Sequence, residues 1–244
     1  PKMALFDTPE KRVLLSEVQP VKRYMTMDSQ FILYVLNFFI VFLFSLSVHE
    51  SAHAWTSERF GDDTGRSLGR ISLNPIVHID PVGTILFPLM GLFGGFGFGW
   101  AKPVPVNPMN WREKDKANFW VSAAGPISNV IIALIVFAIL KTLLLLQVVS
   151  YAELVIQGDG LWYPIGQLMI LAIQLNVVLA VFNLLPIPPL DGSHMLESVL
   201  PASAREGFAD LRPYGFILLI AAMATGGFGY VLNPILLAVN RLIS

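Results

Sequence analysis

Five stretches of this chain contain no Asp, Glu, Lys or Arg: 29–49, 81–101, 117–140, 160–190 and 213–240. A helix needs about 20 apolar residues to cross a bilayer core, and every one of the five is at least that long. The first, read as 29–56, is aromatic and branched-aliphatic from Phe31 to Phe44 without Pro or Gly, which predicts one continuous helix that passes Trp55 and stops at Gly61. The third, 117–146, predicts a span with Ala124-Gly125-Pro126 near its start and Lys141 snorkelling at its far end. The fourth, 164–185, runs into Pro186, Pro188 and Pro189, which force extended backbone before Asp191. The fifth is interrupted by Gly226, Gly227 and Gly229 and reads as one kinked span or as a span plus a short helix.

The second stretch breaks the helical pattern. Pro81, Gly83 and Pro88 precede Gly95-Phe96-Gly97-Phe98-Gly99-Trp100, an alternation of period two. In Lys102-Pro103-Val104-Pro105-Val106 the prolines remove the amide donors from one side only, as in a one-sided edge strand. The expectation is a short helix followed by a re-entrant β-hairpin. The fold class is therefore an all-α polytopic membrane protein with about four to six transmembrane helices and a re-entrant, β-hairpin-like loop. Residues 1–28 mix both charge signs and read as an N-terminal arm, and 29–244 as one membrane domain.

Composition sharpens this picture. Only 14% of residues are charged and 55% are hydrophobic, against about 25% charged in soluble domains, which excludes a soluble globule. Lys+Arg number 16 and Asp+Glu 17, so there is no cationic surplus and no nucleic acid partner is expected. The chain has no cysteine, which leaves His, Asp and Glu as the strong metal donors.

The first span ends on His49-Glu50-Ser51-Ala52-His53. Histidines four apart share one helix face and can reach one metal ion, and the Glu beside the first can hold and deprotonate a water there. Ionisable groups in a span are expensive and so point to function rather than to satisfied interhelical bonds. A zinc site needs a third protein ligand and an open position. Asp191 follows the three prolines at the end of an uncharged run; it would also suit a helix N-cap. His78 reads as a loop histidine, and His194 as a back-up ligand or a partner of one. Asn183 is a candidate oxyanion donor. Asn129 is placed evenly between an interhelical bond and a substrate contact, and Asn176 shares the Asn183 face. Arg59, Arg66 and Arg70 read as a solvated loop.

The helix with His49, Glu50 and His53, the Asn183 to Gly192 segment with its Asp-Gly, and Gly125-Pro126-x-x-Asn129 together resemble the site-2 protease family of intramembrane zinc metalloproteases. The resemblance spans residues 49–192. It implies one zinc ion per chain held by His49, His53 and Asp191, with Glu50 as general base and Asn183 contacting the substrate backbone or oxyanion. It also implies a transmembrane-helix protein as substrate, presented as an added strand along 94–106, in a bacterial-type cell membrane with the metal near the cytosolic side. No PDZ insertion and no CBS module is evident in these residues.

Zinc ligation constrains topology. His49 and Asp191 both lie at C-terminal ends of spans, so an even number of crossings must separate them; 117–146 and 164–185 supply two, and 81–101 must dip in and return. The alternative is a divalent-cation or proton transporter with His49, Glu50, His53 and Asp191 along its path. That reading does not require a Glu at this spacing, and no inverted repeat is evident.

Overall fold

The computed structural model describes residues 29–94, 99–156 and 160–243. The arm expected over 1–28 lies outside them. Residues 1–32 and 33–244 form two compact units, and of the first only the opening of helix α1 is described.

Helix α1 (Ser29–Arg59) is unbroken over 31 residues, as expected of a run with no proline or glycine. It ends where Gly61 takes φ +111°. A Cβ at Gly61 would meet the Asn110 carbonyl oxygen at 2.9 Å, so glycine serves both the turn and the close approach of residues 107–111.

After a single helical turn at Thr64–Ser67 the chain reaches the second apolar stretch. Asp80 Oδ1 accepts from the N–H groups of Val82 and Gly83, opening a π-turn at Pro81–Leu86 that continues as α2 (Phe87–Gly94). These six and eight residues rise about 21 Å at ~1.5 Å each, short of the ~30 Å hydrocarbon core. The chain then returns to its start: Trp100 N–H donates to Gly83 O at 3.0 Å and Lys102 N–H to His78 O at 2.9 Å. The excursion therefore makes no net crossing. No strand forms among the described residues, and Gly99–Asn107 is irregular; residues 95–98, the tip of the expected hairpin, lie outside them. The amide donors of Lys102 and Val104 go to His78 and Glu50, and Pro103 and Pro105 have none, so 102–105 has no donor left for a ladder within the chain.

Helix α3 (Lys114–Leu145) runs 32 residues through a buried Pro126. A short α4 (Tyr151–Val155), opened by a Ser150/Glu153 capping box, leads to α5 (Trp162–Asn183). The proline-rich turn follows, then α6 (Asp191–Val199), α7 (Ala202–Ala209), α8 (Gly215–Ala224) and α9 (Gly227–Ile243). The last apolar stretch is thus two helices, broken at Gly226 with φ +73°. Its 17-residue second part is shorter than a span, and the fourth long apolar run begins upstream, at Ala202–Ala224. Among the described residues four helical runs are long and apolar enough to cross a membrane: Phe31–Arg59, Lys114–Leu145, Trp162–Asn183 and Ala202–Ala224.

Leu36, Ile40 and Phe44 on α1 and Ile131, Leu134 and Ile135 on α3 are exposed, which suits a hydrocarbon solvent. Inside, α3 packs chiefly on α5 and α6. One cluster, Leu140, Val149, Leu154, Ile173 and Ile243, ties α3, α5 and the end of α9 together. Lys141 does not snorkel; its Nζ donates to the Ile243 carbonyl oxygen at 3.2 Å, closing the C-terminal end of α9.

Candidate metal centre

His49 and His53 lie one turn apart on α1, and their Nε2 atoms approach to 3.0 Å. Asp191, the first residue of α6, brings Oδ2 to 3.2 Å from His49 Nε2 and Oδ1 to 3.4 Å from His53 Nε2. It caps nothing with its side chain, so the N-cap reading fails. The turn that delivers it needs Gly192, where a Cβ would stand 2.2 Å from the Leu184 carbonyl oxygen. Ser193 Oγ donates back to Leu190 O at 2.7 Å, and Asn118 of α3 donates to His194 O and Ser198 Oγ, fixing α6 against α3.

The outer nitrogens of both imidazoles are engaged. His53 Nδ1 lies 2.6 Å from the Val121 carbonyl oxygen, and His49 Nδ1 lies 2.7 Å from Asn129 Oδ1. Both partners accept, so both Nδ1 atoms carry the proton and both Nε2 atoms present lone pairs inward. Two imidazole lone pairs and a carboxylate thus converge, and Asp191 Oδ2 is buried without a hydrogen-bond partner. Such a set can hold a cation at its centre. A tetrahedral ion with bonds of about 2.0–2.1 Å separates its ligand atoms by about 3.3–3.4 Å, close to the separations of 3.0, 3.2 and 3.4 Å.

Gly125 keeps the space open. A Cβ there would fall 2.5 Å from His49 Cε1, His49 Nε2 and His53 Nε2. Asn129, one turn on, is fully buried and bonds His49, so it is an interhelical partner of the site rather than part of the cavity wall. Asn176, although on the Asn183 face, does not line the cavity either; it is fully buried against Asn129. Asn129 stands in the Gly125-Pro126-x-x-Asn129 pattern, whereas Asn176 carries no signal in the sequence beyond an Asn within an apolar span.

A cavity of about 850 Å³ opens beside the cluster, lined by Glu50, Trp100, Val104, Asn183 and His194 among others. Glu50 Oε2 accepts from Val104 N–H at 2.9 Å, which sets the carboxylate between the histidines and the 102–106 segment. Asn183 Nδ2 donates to Leu179 O at 2.9 Å, on its own helix. His194 stands outside the donor cluster, its side chain toward Glu197, and burial lowers its pKa. His78 is a buried structural histidine whose Nε2 lies 2.8 Å from Ser72 O; burial lowers its pKa too.

Two further residues hold the 102–111 segment in place. Arg70 is buried, not solvated, and its Nη2 donates to Lys102 O at 2.5 Å and Pro103 O at 3.1 Å. Asp62 is fully buried and accepts from Ser57 Oγ, Thr64, Asn107 N–H and Asn110 Nδ2. Arg59 and Arg66 do match a surface reading, stacked over Trp55 and paired with Glu58.

The model of a known family, Peptidase family M50, matches residues 37–222. The chain belongs to this family. It is 41% identical over 197 residues to the candidate zinc metalloprotease YwhC of Bacillus subtilis, covering 81% of this chain and 84% of that protein. To the candidate zinc metalloprotease Rip2 of Mycolicibacterium smegmatis it is 30% identical over 189 residues, 75% of this chain and 64% of that one. No solved structure matches it. The M50 match takes in His49, Glu50, His53, Gly125, Asn129 and Asp191, the residues that the fold brings to one place.

Proposed function

We propose that this M50 peptidase is a zinc-dependent intramembrane endopeptidase that hydrolyses a peptide bond in or near a substrate's transmembrane helix. His49, His53 and Asp191 hold one zinc ion, Glu50 is the general base, and Asn183 is a donor to the oxyanion or the substrate backbone. The observation that carries this reading is the convergence of three lone-pair donors, two with their outer nitrogens committed elsewhere, beside a carboxylate at the wall of a cavity. Bound zinc supplies Lewis acidity, acidifying water and polarising a peptide carbonyl.

The chain's own groups do the rest. Glu50 takes a proton at its carboxylate and passes it to the leaving amine. Asn118 and Ser193 hold the turn that keeps Asp191 facing the histidines. A helical substrate hides its carbonyls in its own hydrogen bonds, so it must be extended locally before one can reach the site. The wall at Pro103, Val104 and Val106 offers an extended edge along which an unwound peptide docks, pairing through carbonyl oxygens there because the amides of 102–105 are engaged or absent. The transporter reading is not favoured, because the ionisable side chains meet at one point instead of marking out a path.

The test pairs metal content with cleavage of single-span reporter proteins in proteoliposomes. Wild type and Glu50→Gln should each hold about one zinc per chain, while His49→Ala and Asp191→Ala lose it. Glu50→Gln should lower cleavage by roughly 10²–10⁴-fold. Full zinc retention in Asp191→Ala would refute the ligand assignment.

A further inference from the structure

The buried amides behind His49 form a chain whose direction is fixed at one end. Asn176 Nδ2 donates to the Ala172 carbonyl oxygen at 2.8 Å and to Ser45 Oγ at 2.8 Å. A backbone carbonyl only accepts, so the atom facing Ala172 must be the amide nitrogen, and Asn176 Oδ1 must face the other way. There it receives Asn129 Nδ2 at 2.9 Å. That bond in turn leaves Asn129 Oδ1 toward His49 Nδ1 at 2.7 Å. An acceptor at that position requires His49 to carry its proton on Nδ1 and to offer the Nε2 lone pair to the centre. His53 needs no such relay, because the Val121 carbonyl fixes it directly.

We propose that Asn176, which touches neither the donor cluster nor the cavity, is a positioning residue of the metal centre: through Asn129 it locks His49 in the metal-binding tautomer before the ion arrives. Three observations support this. Asn129, Asn176 and Ser45 are all fully buried, so no water competes for their hydrogen bonds and an unmatched amide is costly. The three lie on α3, α5 and α1, so the relay also sets the helices that carry it in register. A flipped Asn129 would present N–H to N–H at His49, and Ala172 forbids the flip at two removes. Groups of this kind behind a metal-bound histidine are worth about 10–100-fold in metal affinity.

The inference rests on the metal site proposed above, and the test separates the two. Zinc affinity is measured on purified full-length protein by competition with a chromophoric chelator, with Asp191→Ala as the control for the site itself. If Asp191→Ala binds as tightly as wild type, the site reading falls. If Asp191→Ala loses zinc, the comparison of Asn176→Leu with Asn176→Asp decides the relay. Leucine keeps the γ-branched shape and the number of side-chain heavy atoms but offers no acceptor to Asn129. A protonated aspartate keeps the acceptor and presents a donor to Ala172. The expected result is zinc binding about 10-fold weaker in Asn176→Leu and near wild type in Asn176→Asp. A role in packing alone gives the opposite order, and equal affinities in the two variants would likewise overturn the proposal. Should Asn176→Leu not fold, Asn129→Leu against Asn129→Asp repeats the test one residue closer, with the aspartate holding zinc, the leucine releasing it, and equal affinities again overturning the relay.

Discussion

A methyl group added at Gly125 would lie 2.5 Å from three imidazole atoms of His49 and His53, and neither ring can retreat, since its far nitrogen is held by Asn129 or Val121. Gly125→Ala should therefore cost about 1–3 kcal/mol in thermal stability and release zinc, both measurable on purified protein. Asp62 gives a pH signature. Burial alone would raise its carboxyl, but hydrogen bonds from Thr64, Asn107, Asn110 and Ser57 hold it at about 2, below its ordinary 3.8. A depressed folded pKa stabilises the fold at pH values above the ordinary one, and that contribution is lost as pH falls through the folded value. Melting temperature in detergent should drop between about pH 4 and pH 2, and Asp62→Asn should flatten that drop while lowering the melting temperature at pH 7. At this scale the convergence of the histidines and Asp191 beside Glu50 was legible in the sequence, because two histidines four apart share a helix face and an odd charge in an apolar run is conspicuous. Asn129 and Asn176 were not legible as a pair, because a hydrogen bond between amides 47 residues apart on two spans leaves no periodicity.

Among the elements, the segment at 102–106 is held from outside rather than by strand pairing. Arg70 takes two of its carbonyls, Glu50 its Val104 amide, and Asp62 the Asn107 amide that follows. Arg70→Met would free those carbonyls while leaving the donor cluster intact. The expected outcome is unchanged zinc content and cleavage about 10-fold slower at limiting substrate, the size of effect that about 1.4 kcal/mol of lost positioning produces. Period and breakers read the helices well: α1, α3 and α5 end within a few residues of their expected limits, since proline, glycine and charge act locally. The hairpin and the last span were harder. Period two in 95–100 raises the expectation of a strand but says nothing about which partner would satisfy it, and three glycines mark a break without saying whether the helix resumes.

For the molecule as a whole, the return of Lys102 to His78 puts the ends of the second apolar stretch at one level, leaving α3 and α5 as the two crossings between His53 and Asp191. Single cysteines placed at the exposed positions Ile76 and Met109 should accordingly label from the same side of a sealed vesicle, and labelling from opposite sides would contradict this arrangement. The helical, multispan class was readable from the sequence through its uncharged runs, the β-hairpin was not found among the described residues, and the even count of crossings follows from donors that lie at the same ends of two spans.

The donors on α1 and the one on α6 also have a temporal separation. A ribosome delivers the chain in order, so His49 and His53 enter the membrane while α3, α5 and the turn at Asp191 are still unmade. The His pair alone lacks both its third donor and the Asn176 end of the relay. The nascent protein therefore passes through the insertion machinery, among other half-inserted helices, without a complete donor set, and gains one only when its third long helix, α5, has been threaded and the Asp-Gly turn has folded back.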